Sequence, residues 1–255
     1  MDEKSPIGYF IKYEWSNNHM KILGVTNHQR VFGFSRRILL SKGFDVDFVT
    51  SSVGQTIKDL PIVDVKKEAD RIVSEYDLVF SFHCKQIFPE SLTSGTRCIN
   101  FHPGFNPYNR GWFPHIFSMV NGLPTGVTVH EMDKYIDKGR IIYQEKVSIE
   151  ESDDSEKVYD KIMKLEEKIM MDKFEDIINK KYSTFVPEKG NCNTKVDYEK
   201  FRKIDLDQKL SFRECLNFLR ALTHSDYKNG YFIDKEGNKI FIKILLEKTL
   251  NDSSI

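Results

Sequence analysis

The sequence predicts an α/β protein: an open, mainly parallel sheet flanked by helices, with a small C-terminal α+β appendage built from a helix and a hairpin. Three observations predict it. From Lys21 to Asn179, short apolar runs suited to strands buried on both faces alternate with helix-periodic stretches. Those runs end abruptly in loops of Asn, His, Pro and Gly, where such folds display reactive groups. After Tyr182 the alternation stops, and a capped helix and a hairpin signature follow.

Taken in order, Lys21 to Thr26 is the first buried strand. Asn27-His28-Gln29 leads into a helix in which Phe32, Ile38 and Leu39 recur at helical spacing and Gly43 stops the run. Asp45 to Thr50 is the next strand. The turn after the first strand lacks G-x-G-x-x-G, which argues against NAD; His28 and Arg30 either touch a ligand there or form a polar turn. Pro61 to Val65 reads as an edge strand, Lys67 to Glu75 as a charged surface helix, and Leu78 to Phe82 as a buried strand followed by F-H-C-K-Q-I-F-P. Cys98 to Phe101 is a strand, Gly111 to Asn121 a helix that tolerates Pro114 in its first turn, and Gly126 to Glu131 and Gly139 to Ser148 two further strands. Ser155 to Asn179 is a long helix burying Val158, Ile162, Leu165, Ile169 and Phe174. P-E-K-G-N-C-N-T-K reads as a linker, Ser211 to Leu222 as a helix with a Ser–Glu capping box, and Tyr231–Ile233 and Lys239–Leu246 as a hairpin around D-K-E-G-N. The expected division is an extension at 1–20, a catalytic domain at 21–185 and a small domain at 186–255. The extension either packs on the domain or reflects an upstream start.

Composition excludes several classes. With 38 basic and 38 acidic residues the formal net charge is zero, which argues against a general nucleic-acid binder. The 4 cysteines are widely spaced without a C-x-x-C pair, so neither a disulfide framework nor a structural zinc site is expected, and Cys98 reads as a small buried hydrophobe. No stretch has the length of a membrane span, and the N-terminus is acidic and polar; the expected location is the cytoplasm.

The chemistry centres on C-I-N-F-H-P-G-F-N-P-Y-N-R-G-W-F-P. Asn100 and His102 are two apart, so on an extended backbone they point the same way. Asp137 lies in the loop D-K-Y-I-D-K between two later strands. An amide, an imidazole and a carboxylate can polarise a carbonyl, stabilise an oxyanion and move a proton. By themselves the same residues also suit a turn hydrogen bond, a structural histidine and a turn cap.

The surrounding words carry a resemblance. N-F-H-P-G followed by V-H-E-M-D-K-Y-I-D-K-G-R-I-I resembles the formyltetrahydrofolate-dependent formyltransferases, which share an Asn, a His two residues on, and an Asp in a D-x-G turn. The resemblance spans roughly Lys21 to Ile149 and implies a Rossmann-like catalytic domain with Asn100, His102 and Asp137 as catalytic residues. H-P-G-F-N-P-Y-N-R-G-W-F-P-H-I-F-S is similar to the sugar N-formyltransferases, which act on 3- or 4-amino dTDP-dideoxyhexoses destined for surface polysaccharides such as the O-antigen of lipopolysaccharide. What this implies is a formyltetrahydrofolate co-substrate, no metal, a homodimer and dTDP-4-amino-4,6-dideoxyglucose as acceptor. The alternatives are the 3-amino isomer, methionyl-tRNA or a purine precursor, or a non-catalytic folate or nucleotide-sugar binding module. The resemblance places the pteridine near the Gln86, Ile87 and Phe88 backbone and the loop from Asp133. It makes Asn109, Arg110, Trp112 and Tyr227 the candidate nucleotide-sugar contacts, with Tyr227 stacking on thymine.

Overall fold

The computed structural model describes residues 20–249, so the expected extension lies outside the described residues but for Met20. The chain runs β1 (Ile22–Thr26), α1 (Gln29–Ser41), β2 (Asp47–Ser51), β3 (Ile62–Val63), α2 (Ala69–Glu75), β4 (Leu78–Phe82), α3 (Glu90–Gly95) and β5 (Arg97–His102). It continues through β6 (Arg110–Gly111), α4 (Pro114–Asn121), β7 (Thr125–Glu131), β8 (Ile141–Val147) and α5 (Ser155–Ile178). The remainder is β9 (Cys192–Asn193), α6 (Lys195–Phe201), α7 (Phe212–Leu222), β10 (Tyr231–Ile233) and β11 (Lys239–Phe241).

The main sheet has the order β3-β2-β1-β4-β5-β7-β8. The ladder from β3 to β5 is parallel, whereas β7 pairs antiparallel with both β5 and β8. Every residue of β1 and β4 is buried, as strands covered on both faces require. One face packs on α1, α4 and α5, through Ile38, Met119, Ile162, Met170 and Phe174. The other packs on α2 and α3, through Ile72 and Leu92. All five apolar positions read from α5 are buried. The carboxyl ends of β1, β4 and β5 therefore open side by side at one rim, the place where open α/β sheets bind ligands.

Four local expectations need correction. The helix expected from Gly111 begins only at Pro114, because Arg110 and Gly111 pair as a strand and Phe113 is left-handed at φ 49. The stretch read as a linker is a strap: β9 pairs parallel with β6, and Asn191 and Asn193 carbonyls accept from Arg110 and Trp112 N–H. Two short helices were not anticipated, α3 and α6. α6 has a complete Thr194–Asp197 capping box, a T-x-x-D signal that was present in the sequence. Finally, the second hairpin strand ends at Phe241 rather than Leu246.

Candidate active site

Asn100 and His102 lie in the last half of β5, which pairs with Phe82 and its neighbours on one side and with β7 on the other. Asp137 comes from the β7–β8 loop and is held in the left-handed region at φ 50, a conformation Asp tolerates better than most residues. Gly139 then passes so close to the Glu131 carbonyl that a Cβ there would overlap it. This close approach folds the loop back over the end of β5.

The three residues meet. Asn100 Nδ2 donates to Asp137 Oδ1 at 3.1 Å, and His102 Nδ1 lies 3.6 Å from Asp137 Oδ2. The Gly111 N–H donates to Asp137 Oδ2 at 3.2 Å, from a backbone at φ 86 that glycine alone adopts freely. Asn106 Nδ2 donates to the Asp137 carbonyl at 3.0 Å. A fourth member escaped the sequence reading: His130, opposite Asn100 in the β5–β7 ladder, with Nε2 3.2 Å from Asn100 Nδ2. Its Nδ1 faces the Glu131 carbonyl at 2.8 Å and so carries the proton, leaving Nε2 to accept the second Asn100 amide hydrogen. The V-H-E segment was in view, but only strand register shows that it faces Asn100.

Charge follows from this geometry. Burial pushes the His102 imidazole down to about 4, against the attraction of Asp137. Burial alone would raise the Asp137 carboxyl, but His102 and the Gly111 N–H hold it below the ordinary carboxylate range. The neutral ring carries its proton on Nδ1, facing the carboxylate. His102 Nε2 is then an unprotonated, buried nitrogen with no partner among the described residues. An acceptor nitrogen beside a movable amide donor can take a proton from an attacking nucleophile and stabilise an oxyanion.

The other expected site residues divide. Arg110 is buried with Nε 3.4 Å from the Asn191 carbonyl, and half-buried Trp112 has the ammonium groups of Lys85 and Lys195 over its ring at 5.3 and 5.7 Å. Tyr227 is 66% exposed and stands 5.7 Å from the His224 ring. Asn109 is corrected: it is fully buried, its Oδ1 accepts from Asn191, Asn121 and Asn193, and its Nδ2 donates to Ser118 and Asn121. The side chain has no capacity left for a ligand and fastens the strap to the loop that follows β5. Likewise the Gln86 side chain is used by the Val65 N–H and Asp64, so only its backbone is available; Ile87 is exposed and Phe88 buried. Exposed Asp133 caps the Tyr135 N–H. Among the described residues no group of three or more His, Cys, Asp or Glu could hold a metal ion.

Residues 16–174 match the family described as formyl transferase, and residues 197–248 match the N-formyltransferase dimerization C-terminal domain. The chain belongs to the formyl transferase family. It is 46% identical over 204 residues to the dTDP-4-amino-4,6-dideoxyglucose formyltransferase of Mycobacterium tuberculosis, covering 80% of this chain and 87% of the relative. A 4-N formyltransferase from Francisella tularensis superposes with a TM-score of 0.86 at 42% identity, covering 90% of this chain and 99% of the other. A formyltransferase from Anoxybacillus kamchatkensis, solved with UDP-4,6-dideoxy-4-formamido-L-AltNAc and tetrahydrofolate, gives a TM-score of 0.58 at 25% identity, covering 71% and 88%. The expected family and fold class are thus borne out, and this formyltransferase is an N-formyltransferase enzyme.

Proposed function

We propose that this formyltransferase moves the formyl group of formyltetrahydrofolate onto the 4-amine of dTDP-4-amino-4,6-dideoxyglucose. The observation that carries the reading is the closed Asn100–His102–Asp137 cluster, in a chain 46% identical to a relative named for that acceptor. The folate donor is supported by the tetrahydrofolate complex of the Anoxybacillus protein and by the unpartnered His102 Nε2, which such a donor's reaction would use. When bound, formyltetrahydrofolate supplies the formyl carbon and its nitrogen takes up one proton as the product leaves. Asn100 gives an amide hydrogen to the carbonyl oxygen as negative charge builds there, releasing the one now on His130. His102 takes a proton from the attacking amine at Nε2 and then, charged, stabilises the same oxygen. Asp137 keeps the ring oriented and compensates its transient charge.

The pterin is placed along the Gln86–Phe88 backbone and the Asp133 loop, and the nucleotide sugar along Arg110, Trp112 and Tyr227. A homodimer is supported by the dimerization-domain match and by apolar side chains left exposed on the appendage, among them Phe212 at 83% and Leu216 at 41%. The proposed location is the cytoplasm, where folate and nucleotide sugars meet; no helix among the described residues is long and apolar enough to cross a membrane. The test offers purified enzyme formyltetrahydrofolate with dTDP-4-amino-4,6-dideoxyglucose and, separately, its 3-amino isomer. Tetrahydrofolate release with the 4-amino sugar alone is the expected result. Release with the 3-amino isomer alone would move the acceptor assignment, and no release with either would sink it.

A further inference from the structure

Beside the catalytic cluster lies a second polar chain that the mechanism above does not use. β4 and β5 are parallel neighbours with Phe82 opposite Phe101, so His83 and His102 leave adjacent strand ends side by side. His83 has a left-handed backbone at φ 56, is 9% exposed, and puts Nε2 2.8 Å from Glu166 Oε2 in the middle of α5. Glu166 has no exposure at all, and its Oε1 has no partner among the described residues. The Tyr159 hydroxyl, about two turns earlier on α5, lies 3.4 Å from His83 Nδ1 and 3.1 Å from His28 Nε2. His28 Nδ1 in turn accepts the Val31 N–H at the start of α1.

One set of protonation states satisfies every link. Because His28 Nδ1 accepts from Val31, a neutral His28 donates from Nε2 to the Tyr159 oxygen. Tyr159 then donates its hydroxyl hydrogen to His83 Nδ1, and His83 Nε2–H donates to the Glu166 carboxylate. The tyrosine oxygen keeps one lone pair for the site, backed by a buried carboxylate. The other titratable rings around Tyr159 are His115 from α4 at 5.1 Å and His224 after α7 at 6.0 Å, with Tyr227 next to His224. Burial pushes His28 down to about 4 and His115 to about 3 and lowers His224, so none of these rings holds a proton that would repel a cation at neutral pH. Of the cations facing this group, Arg30 is ion-paired with Asp160 and Lys85 lies over the Trp112 ring. A hydrogen-bond acceptor among neutral rings and backed by the buried Glu166 is a receiver for an ammonium proton.

We propose that Tyr159, His83 and Glu166 form a relay that takes the first proton from the acceptor's ammonium group, delivering the free amine beside His102. The inference rests on the proposed acceptor being an aliphatic amine, a group mostly protonated at neutral pH. The step balances: an N–H bond of the ammonium breaks as an O–H bond forms on Tyr159, the former hydroxyl hydrogen moves to His83 Nδ1, and the Nε2 hydrogen moves to Glu166. The products are a neutral amine and a neutral Glu166 carboxyl. The second amine proton leaves during attack by way of His102, and the relay resets by returning its proton to solvent. Tyr159 is the catalytic residue of the relay; His83 and Glu166 act through it.

The test measures kcat/KM against pH for the wild type and for Glu166→Gln, which keeps an oxygen for His83 but is no base, and Tyr159→Phe. At neutral pH each variant is expected to lose about 10²-fold, the scale of one proton-transfer group. As pH rises and the acceptor loses its own proton, the variants should converge on the wild-type rate. A deficit that stays constant with pH, or no deficit, overturns the relay. Nitrogen NMR of the histidine rings tests it without any acceptor: His83 should be protonated on Nε2 and bare on Nδ1 in the wild type. The opposite tautomer sinks the relay even if the acceptor reading stands, whereas a wild type inactive with both amino sugars sinks that reading alone.

Discussion

The candidate-site loop and the C-terminal appendage satisfy their surfaces in opposite ways. Between Asn100 and Gly111 the side chains are tied into the chain, with His102 Nε2 and Asn106 Oδ1 the buried atoms left without a partner among the described residues: Asp137 is met by Asn100 and Gly111, Asn106 by Thr128 and Asp137, Asn109 by five contacts to four residues. The appendage from α6 to β11 instead leaves Val196, Phe212, Leu216 and Ile240 exposed. The first region is rigid by its own network, as a site that must hold charge in place requires. The second leaves apolar surface of the kind a partner chain covers, in a segment that matches a dimerization C-terminal domain.

The sharpest way to break this contrast is at the carboxylate. Asp137→Asn, which removes the charge orienting His102, and Asn100→Ala, which removes an oxyanion donor, should each lower kcat by about 10²–10³-fold, while circular dichroism and the melting temperature stay near wild type. Wild-type turnover in either variant would show that the cluster is only structural. Asn109→Ala should be the reverse case. It strips the buried amide from the strap and the loop, leaving polar partners unpaired, and should cost about 3 kcal/mol in urea unfolding. If stability were unchanged, the network would not be what holds the loop.

Two milder predictions address the comparison as a whole. Phe212→Asp should shift the sedimentation coefficient from that of a dimer to that of a monomer and leave the catalytic cluster intact; an unchanged coefficient would place the interface elsewhere. Acid should act on the catalytic half first. The values of His28, His102 and His115 lie at about 4, about 4 and about 3, below the unfolded value of about 6.5. The unfolded chain therefore binds protons first, and the stability these neutral rings contribute is intact above about pH 6.5 and is lost as pH falls toward about 4. The urea midpoint should drop between about pH 7.5 and about pH 5, with amide exchange rising around β1, β5 and α4 before the hairpin. Equal acceleration in both regions would contradict the assignment.

Much of this was legible beforehand. β1, β4 and α5 fall where their apolar patterns put them, because a strand covered on both faces and a helix covered on one must show those patterns. Ser211 and Glu214 form the expected capping box on α7. Asn100, His102 and Asp137 were found through words that the family shares, and the structure brings them together. Asn109 and Arg110 were adjacent in the same attractive motif, yet Asn109 turned inward. Nothing in a run of polar residues says which of them will be saturated by Asn191 and Asn193, 82 and 84 positions away. The strap was misread for the same reason, since its Pro, Gly and Asn suit a linker as well as a segment pinned by backbone pairing.

By itself, then, the sequence determined the alternation of strands and helices, the rim at which they open and the residue types of the proposed catalytic trio. These depend on periodicity and on short contiguous words. Only the tertiary structure decided that His130 faces Asn100, that Asn109 is scaffold, and that His83 joins Tyr159 and Glu166, 76 and 83 positions apart. Hydrogen bonds act over about 3 Å and are indifferent to chain separation. Which distant donor meets which acceptor is therefore fixed by packing, and packing is a property of the whole fold.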